Sequence, residues 1–197
     1  MTPLLTLLFS LLFSSTGQTQ TPLDGDFTVC SNQSKLSYKV VHKFHEVKGV
    51  TQEMEGRAVL KGDQGEVMIR VPVTSFDSGN ANRDAHMKEV IGAHRFPYVV
   101  FKGKLKKKNE PNRFTANGSL EFHGIENSLE TEVSANDEGN QVRVTLSFLI
   151  SLEKYKVERP SLLFVKVDDA VTLEGNLIFV SSSNKASCNE NKALKLL

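Results

Sequence analysis

From residue 35 onward the chain alternates apolar and polar side chains in one short run after another, and a two-residue period is met only by extended strands with one buried face. In the first run Leu36, Tyr38, Val40, His42 and Phe44 share a side, while Lys35, Ser37, Lys39 and Lys43 share the other. The same alternation recurs at 54–60, 67–73, 99–105, 114–122, 129–133, 142–150 and 171–179. Turn-forming clusters at Gly62-Asp63, Asn109 to Asn112 and Asn136 to Asn140 separate several of these runs. Eight such runs predict an all-β fold of eight short antiparallel strands, a barrel or a sandwich, with no internal repeat and no second domain.

One segment breaks the series. Residues 75–101 read SFDSGNANRDAHMKEVIGAHRFPYVVF. Asn80 suits a helix N-cap, Met87, Val90 and Ile91 recur on one helical face, and Gly92 supplies the stop. A second helical turn is expected near Leu152 to Tyr155.

Composition removes some classes of partner. Lys+Arg 24 against Asp+Glu 23 leaves a formal charge of +1, so nothing electrostatic points to nucleic acid. Lys102, Lys104 and Lys106 alternate as the solvent face of a strand, which blunts edge-to-edge association. The alternative use of such a patch is a transient membrane-surface contact. Residues 1–23 carry no charged side chain, and the apolar run from Leu4 to Phe13 is too short to span a bilayer. We therefore expect a signal peptide at 1–20, a folded domain at 24–180 and a polar tail at 181–197, in a periplasmic or secreted protein. Cys30 and Cys188 fit an oxidising compartment. In a closed barrel the first and last strands are neighbours, which would let the two cysteines bridge; two unpaired thiols are the alternative. Their spacing excludes a CxxC redox or zinc motif.

The segment 75–101, with SLEFHG at 119–124 and ERPSLLFVKVDDAV at 158–171, resembles the bacterial YceI family of lipid-binding barrels. Asp77, Ser78, Gly79, Asn80, Arg83, Asp84, His86, Met87, Phe96, Pro97, Val99 and Phe101 all match its pattern, and the similarity extends over about residues 26–180. The resemblance implies an eight-stranded lipocalin-like β-barrel that binds polyisoprenoids, isoprenoid quinones or other long-chain lipids, with no cofactor.

A barrel of this strand number either fills its lumen with side chains or holds one small ligand. Gly56, Ala58, Gly103, Ala116, Gly118 and Gly175 on the apolar face would leave room along the axis, unless the glycines serve bending and close packing instead. The expected lumen contacts are Tyr38, Val40, His42, Phe44, Ala58, Phe101, Phe114, Ala116, Gly118, Phe122, Val144, Phe148 and Leu173. Arg83 and His86 are candidates for a polar head group at the mouth, or Arg83 and Asp84 lock the helix onto the barrel. Arg159, Pro160, Lys166, Asp168 and Asp169 are expected to pin a long crossing loop, and His123-Gly124 to form a structural turn. His42 and His45, three apart on one strand, would point to opposite faces and share no metal. No GxSxG, Walker, HExxH or CxxC pattern is present, and adjacent Asp168 and Asp169 would diverge, so no catalytic group is expected. The expected partner is a long-chain isoprenoid or related lipid. A structural or stress-related interaction protein with a filled core is the alternative, and a haem- or metal-associated accessory using His42 and His86 a weaker third.

Overall fold

The structure, a computed structural model, describes residues 23–42, 45–162, 165–186 and 188, without the side chains of 42, 45, 162 and 165. The expected leader, Phe44 and the end of the tail lie outside these residues.

The first strands are β1 (Gly25–Val29), β2 (Lys35–His42), β3 (His45–Thr51), β4 (Glu55–Lys61) and β5 (Gln64–Pro72). The helix α1 (Ala81–Val90) precedes β6 (Tyr98–Lys107), β7 (Arg113–Phe122), β8 (Ile125–Asp137) and β9 (Val142–Ser151). A minimal hairpin, β10 (Ser161–Leu162) and β11 (Val165–Lys166), precedes the final β12 (Ala170–Ser181). The large sheet runs β1-β4-β5-β6-β7-β8-β9-β12-β2-β3, and β1 pairs with β12 as well, so the ring closes. Along one edge β12 takes β9; along the other it takes β2 at 171–176 and β1 at 179–181. Hence β1 and β2 are two halves of one wall strand, and β3 and β4 are halves of its neighbour. Counted by wall position, the barrel has the eight antiparallel strands that the alternation predicts. The sequence pattern alone missed β1 and β3, whose runs are short and, in HEVKGVT, mostly polar.

The break between β1 and β2 is a 3-10 turn at Ser31–Gln33, and two serines absorb it. Ser34, fully buried, donates its hydroxyl to the Cys30 carbonyl at 2.7 Å and accepts the Ile178 amide at 2.9 Å. The Cys30 amide donates to the Ile178 carbonyl at 2.7 Å. Ser31 Oγ donates to the Gln52 carbonyl and accepts the Met54 amide at 3.1 Å, joining this kink to the one between β3 and β4. The backbone groups that a ladder would have paired thus find side-chain partners, as buried polar groups must.

Closure brings Cys30 and Cys188 together in a disulfide with Cα atoms 5.3 Å apart. The bridge lies outside the barrel wall, buried with the outward-facing Ile178 and Val180. The residues after the last strand are therefore more than a polar tail: a 3-10 turn at Ser182–Asn184 leads to Cys188 and covers the back of β12. The signal was present in the run Leu177, Ile178, Phe179, Val180, apolar on both faces, as a strand covered on both faces must be.

Local signals for α1 were faithful. Asn80 accepts the Arg83 amide at 3.0 Å, and Gly92 ends the helix with φ of 60°. The second helical turn is a 3-10 turn at Glu153–Tyr155. Lys102, Lys104 and Lys106 are exposed on the outer face of β6.

The disulfide closes a loop of 158 residues. Replacing both cysteines, Cys30→Ser with Cys188→Ser, should lower unfolding stability by about 3 to 5 kcal/mol in chemical denaturation, the loss expected from freeing so long a loop.

Candidate functional site: the barrel lumen

Exposure along the inner wall shows where the barrel is empty. At the end formed by the β4–β5, β6–β7 and β8–β9 turns, Leu60, Phe114, Ala135, Val142 and Phe179 are buried in one cluster and stopper the tube. Toward the other end, inward-facing Leu36, Tyr38, Val40, Phe101, Val144, Leu146, Phe148 and Leu173 are only half-buried. Large apolar side chains that point into a barrel yet keep accessible surface border unfilled space. That space is a cavity of about 560 Å³, within the usual range of small-molecule sites. Its lining is almost wholly carbon. Met87, Val90 and Ile91 of α1 cover it at the mouth, with Leu152, Val157, Pro160 and Val167 from the crossing segment.

Of the expected contacts, Tyr38, Val40, Ala58, Phe101, Phe114, Ala116, Phe122, Val144, Phe148 and Leu173 line the cavity. Phe44 and the side chain of His42 lie outside the described residues. Gly118 does not line it, which corrects the expectation. Gly118 stands opposite Gly103 in the β6–β7 register, and a methyl group there would collide with the Lys102 carbonyl and the Gly103 Cα. The other glycines expected on the apolar face are likewise occupied rather than vacant: a Cβ on Gly175 would meet Leu146 at 3.0 Å, one on Gly56 would meet Val29 at 2.8 Å, and one on Gly103 would meet Phe101 at 2.7 Å. Room in the lumen comes from the girth of the ring and from Ala58 and Ala116, whereas the glycines let neighbouring strands and side chains approach.

The histidine geometry also needs correcting. His42 and His45 are not three apart on one strand; the chain reverses between them and they stand opposite each other in the β2–β3 register. Among the lining residues that sequence reasoning did not name as lumen contacts, two kinds differ in their signal. Leu36, Ile69, Leu129 and Leu146 carried the same alternation as their neighbours. Val157, Pro160 and Val167 come from an aperiodic segment, where no alternation marks which side chains face the lumen.

The mouth is organised around Ser78. Its amide and hydroxyl donate to the Asp84 carboxylate at 3.2 and 2.5 Å. Arg83 donates from Nε to the Ser78 hydroxyl at 2.8 Å and from Nη2 to the Ser78 carbonyl at 2.7 Å. Arg83 and Asp84 therefore meet through Ser78 and lock the start of α1. Burial opposes charge on Asp84, but the two Ser78 hydrogen bonds, with Arg83 and Lys88 nearby, outweigh it and hold the carboxyl below its ordinary value. The preceding Asp77 exchanges two backbone bonds with Val50, at 2.8 and 2.9 Å, along the edge of β3 that no strand covers.

Beside this knot, Tyr38 lays its ring over the Cα of Gly49, its partner in register, and meets Phe76 edge-on at 5.5 Å. Its hydroxyl has no hydrogen-bond partner among the described residues. Burial raises its phenol pKa, the Asp84 charge adds to this, and Arg83 partly offsets it. Arg83 and His86 both border the cavity; His86 is exposed, with Nδ1 4.0 Å from Glu89.

Of the residues expected to pin the crossing segment, Arg159, Pro160, Asp168 and Asp169 do so, Pro160 through its carbonyl, which accepts the Val167 amide at 2.9 Å, whereas the Lys166 side chain does not. Arg159 donates to the Val167 carbonyl at 2.9 Å and to Glu153 at 2.6 Å, Asp169 accepts the Glu153 amide at 2.8 Å, and the Asp168 amide donates to Val41 at 2.9 Å. Lys166 is exposed. His123 has φ of 53°, with Nδ1 2.9 Å from the Tyr155 carbonyl and its ring against Phe96 at 5.1 Å, a structural turn.

Two measurements follow from these contacts. Gly118→Ala should destabilise the barrel by about 1 to 3 kcal/mol, because the added methyl meets backbone that cannot rotate away. Asp84 has a depressed carboxyl, so its stabilisation is complete above the ordinary value of 3.8 and is lost as the pH falls through the lower, folded-state value. Asp84→Asn should accordingly flatten the acid limb of the stability–pH curve, read by thermal melts between neutral pH and the acid limit.

A family model described as a YceI-like domain matches residues 27–179. Among solved structures, that of Burkholderia cenocepacia BcnA superposes with a TM-score of 0.70 at 18% identity, covering 76% of this chain and 98% of its own. A polyisoprenoid binding domain from Saccharophagus degradans gives 0.67 at 12% identity, with 79% and 98% covered. A Campylobacter jejuni YCEI protein gives 0.56 at 13%, with 87% and 97% covered. At these identities the likeness establishes the fold. No curated protein matches the sequence.

Proposed function

The chain belongs to the YceI-like domain family, and we propose that it is a non-catalytic binding protein that sequesters, stores or carries a long-chain isoprenoid lipid in its lumen. The observation that carries this proposal is the carbon-lined cavity of about 560 Å³, stoppered at one end and covered at the other by α1 and the crossing segment. Carbon walls favour hydrocarbon at roughly 0.8 kcal/mol per buried methylene, before the ordering of a flexible chain takes its share. A lumen bordered by half-buried inward side chains supports this reading over a barrel filled by its own core. The structural neighbour described as a polyisoprenoid binding domain supports the isoprenoid class.

The disulfide supports residence in an oxidising compartment, periplasmic or secreted, as the expected leader does. Among the described residues no helix is long and apolar enough to cross a membrane. Loading such a carrier calls for transient contact with a membrane surface, where its cargo resides.

Native mass spectrometry of protein taken from its exported compartment, followed by organic extraction, tests the proposal. A stoichiometric adduct extractable as a prenyl chain or quinone is expected. Protein that is bare, and stays bare when challenged with long-chain lipids, would remove the lumen as a lipid site.

A further inference from the structure

The closed wall is not paired along its whole length. β8 and β9 share a ladder only between residues 133–137 and 142–146. Toward the mouth they part: residues 125–132 of β8 pair with β7 alone, and 147–151 of β9 pair with β12 alone. The turn that follows β9 fills the notch between them. Its Tyr155 and Val157 are buried against Leu120 and Phe122 of β7, with the rings of Tyr155 and Phe122 5.5 Å apart. Leu129 and Thr131, on the parted length of β8, and Phe148 and Ile150, on that of β9, line the lumen. On the outer face of the same length of β9, Leu149 is 65% exposed, an apolar side chain left in water at the lip of the notch.

The turn is held unequally on its two sides. On the β9 side it continues the strand, and its Leu152 amide donates to the Asp169 carbonyl at 2.9 Å and its Glu153 amide to the Asp169 carboxylate at 2.8 Å. On the β8 side Asn127 donates from Nδ2 to the Lys154 carbonyl at 3.2 Å, and His123 Nδ1 lies 2.9 Å from the Tyr155 carbonyl, with no backbone ladder behind these contacts among the described residues. The wall is also interrupted at the uncovered edge of β3, but that gap is tied more firmly. There Asp77 and Val50 exchange two backbone bonds, and Ser78, Arg83 and Asp84 secure α1 beside them. A lumen covered at both ends exchanges its contents only when a cover opens locally, and the cover with the weaker attachment opens at the lower cost.

Resting on the lumen-carrier reading above, we propose that the notch between β8 and β9 is the port of the lumen. The turn at 152–157 is its gate: it swings off β8 and stays hinged to β9 and Asp169. Opening brings Tyr155 and Val157 into water, so the open state is a minor one and exchange is slow. Apolar cargo then passes sideways between Leu129 and Phe148 and over Leu149, while α1 stays in place.

The test is stopped-flow release of retinol, a fluorescent isoprenoid alcohol used as a probe, from delipidated, disulfide-intact protein into excess phosphatidylcholine vesicles, well below the melting temperature of each variant. Asn127→Ala removes the amide that holds the Lys154 carbonyl and should speed release about two- to tenfold, the worth of one hydrogen bond. Ser78→Ala, which loosens α1 instead, should speed release less than Asn127→Ala does. In the double variant Asn127→Cys with Lys154→Cys, joining the two new thiols with a short bis-maleimide should slow release at least about tenfold against the same protein left unjoined, because the open state is removed rather than made rarer. Release that the link leaves unchanged overturns the port, as does release quickened more by Ser78→Ala than by Asn127→Ala. Failure of the unmodified protein to bind either retinol or the apolar fluorophore N-phenyl-1-naphthylamine overturns instead the lumen-carrier reading on which the proposal rests.

Discussion

Closure of the ring at β12 is the constraint on which the rest depends. An open sheet of these strands would expose an apolar face and two unpaired edges; joined end to end, the same strands enclose that face and create a lumen. The join is made by one long strand whose outer edge is shared between β2 and β1. Sharing requires a break, and Ser34 and the Cys30–Ile178 pair satisfy backbone donors and acceptors that the break leaves. The disulfide then sits at this seam, so the covalent link and the break in the ladder coincide.

At the opposite end of the barrel, β3 has no strand on its outer edge, and the chain covers the gap with Asp77, Ser78 and α1. The knot of Arg83, Asp84 and Ser78 holds the helix where Met87, Val90 and Ile91 reach the lumen. Charged residues at the mouth therefore act first as architecture.

Alternation made most of the wall legible, because a strand with one buried face must repeat every second residue. Tyr38, Phe101, Phe148 and Leu173 were placed inward on that ground alone, and they line the cavity. Asn80 and Gly92 bounded α1 correctly because capping is a local matter. The glycines misled: alternation puts Gly118 on the face that would open the lumen, but the space of its missing side chain is taken by the carbonyl of Lys102 on the next strand. His42 and His45 misled for a related reason, since a reversal at the hairpin set opposite each other two residues that a continuous strand would have separated.

The sequence by itself determined that this chain forms short antiparallel strands with one apolar face, where its helix begins and ends, and how its charges are balanced. Those properties depend on periodicity and on contacts between residues near in the chain. Only the tertiary structure decided that the two cysteines meet across 158 residues, that Ile178 and Val180 are covered from outside, and that Val157 and Val167 close over the lumen. It also decided how much of the interior stays empty. That volume depends on how far apart the walls of a closed ring stand once every side chain has packed, a distance no local pattern encodes.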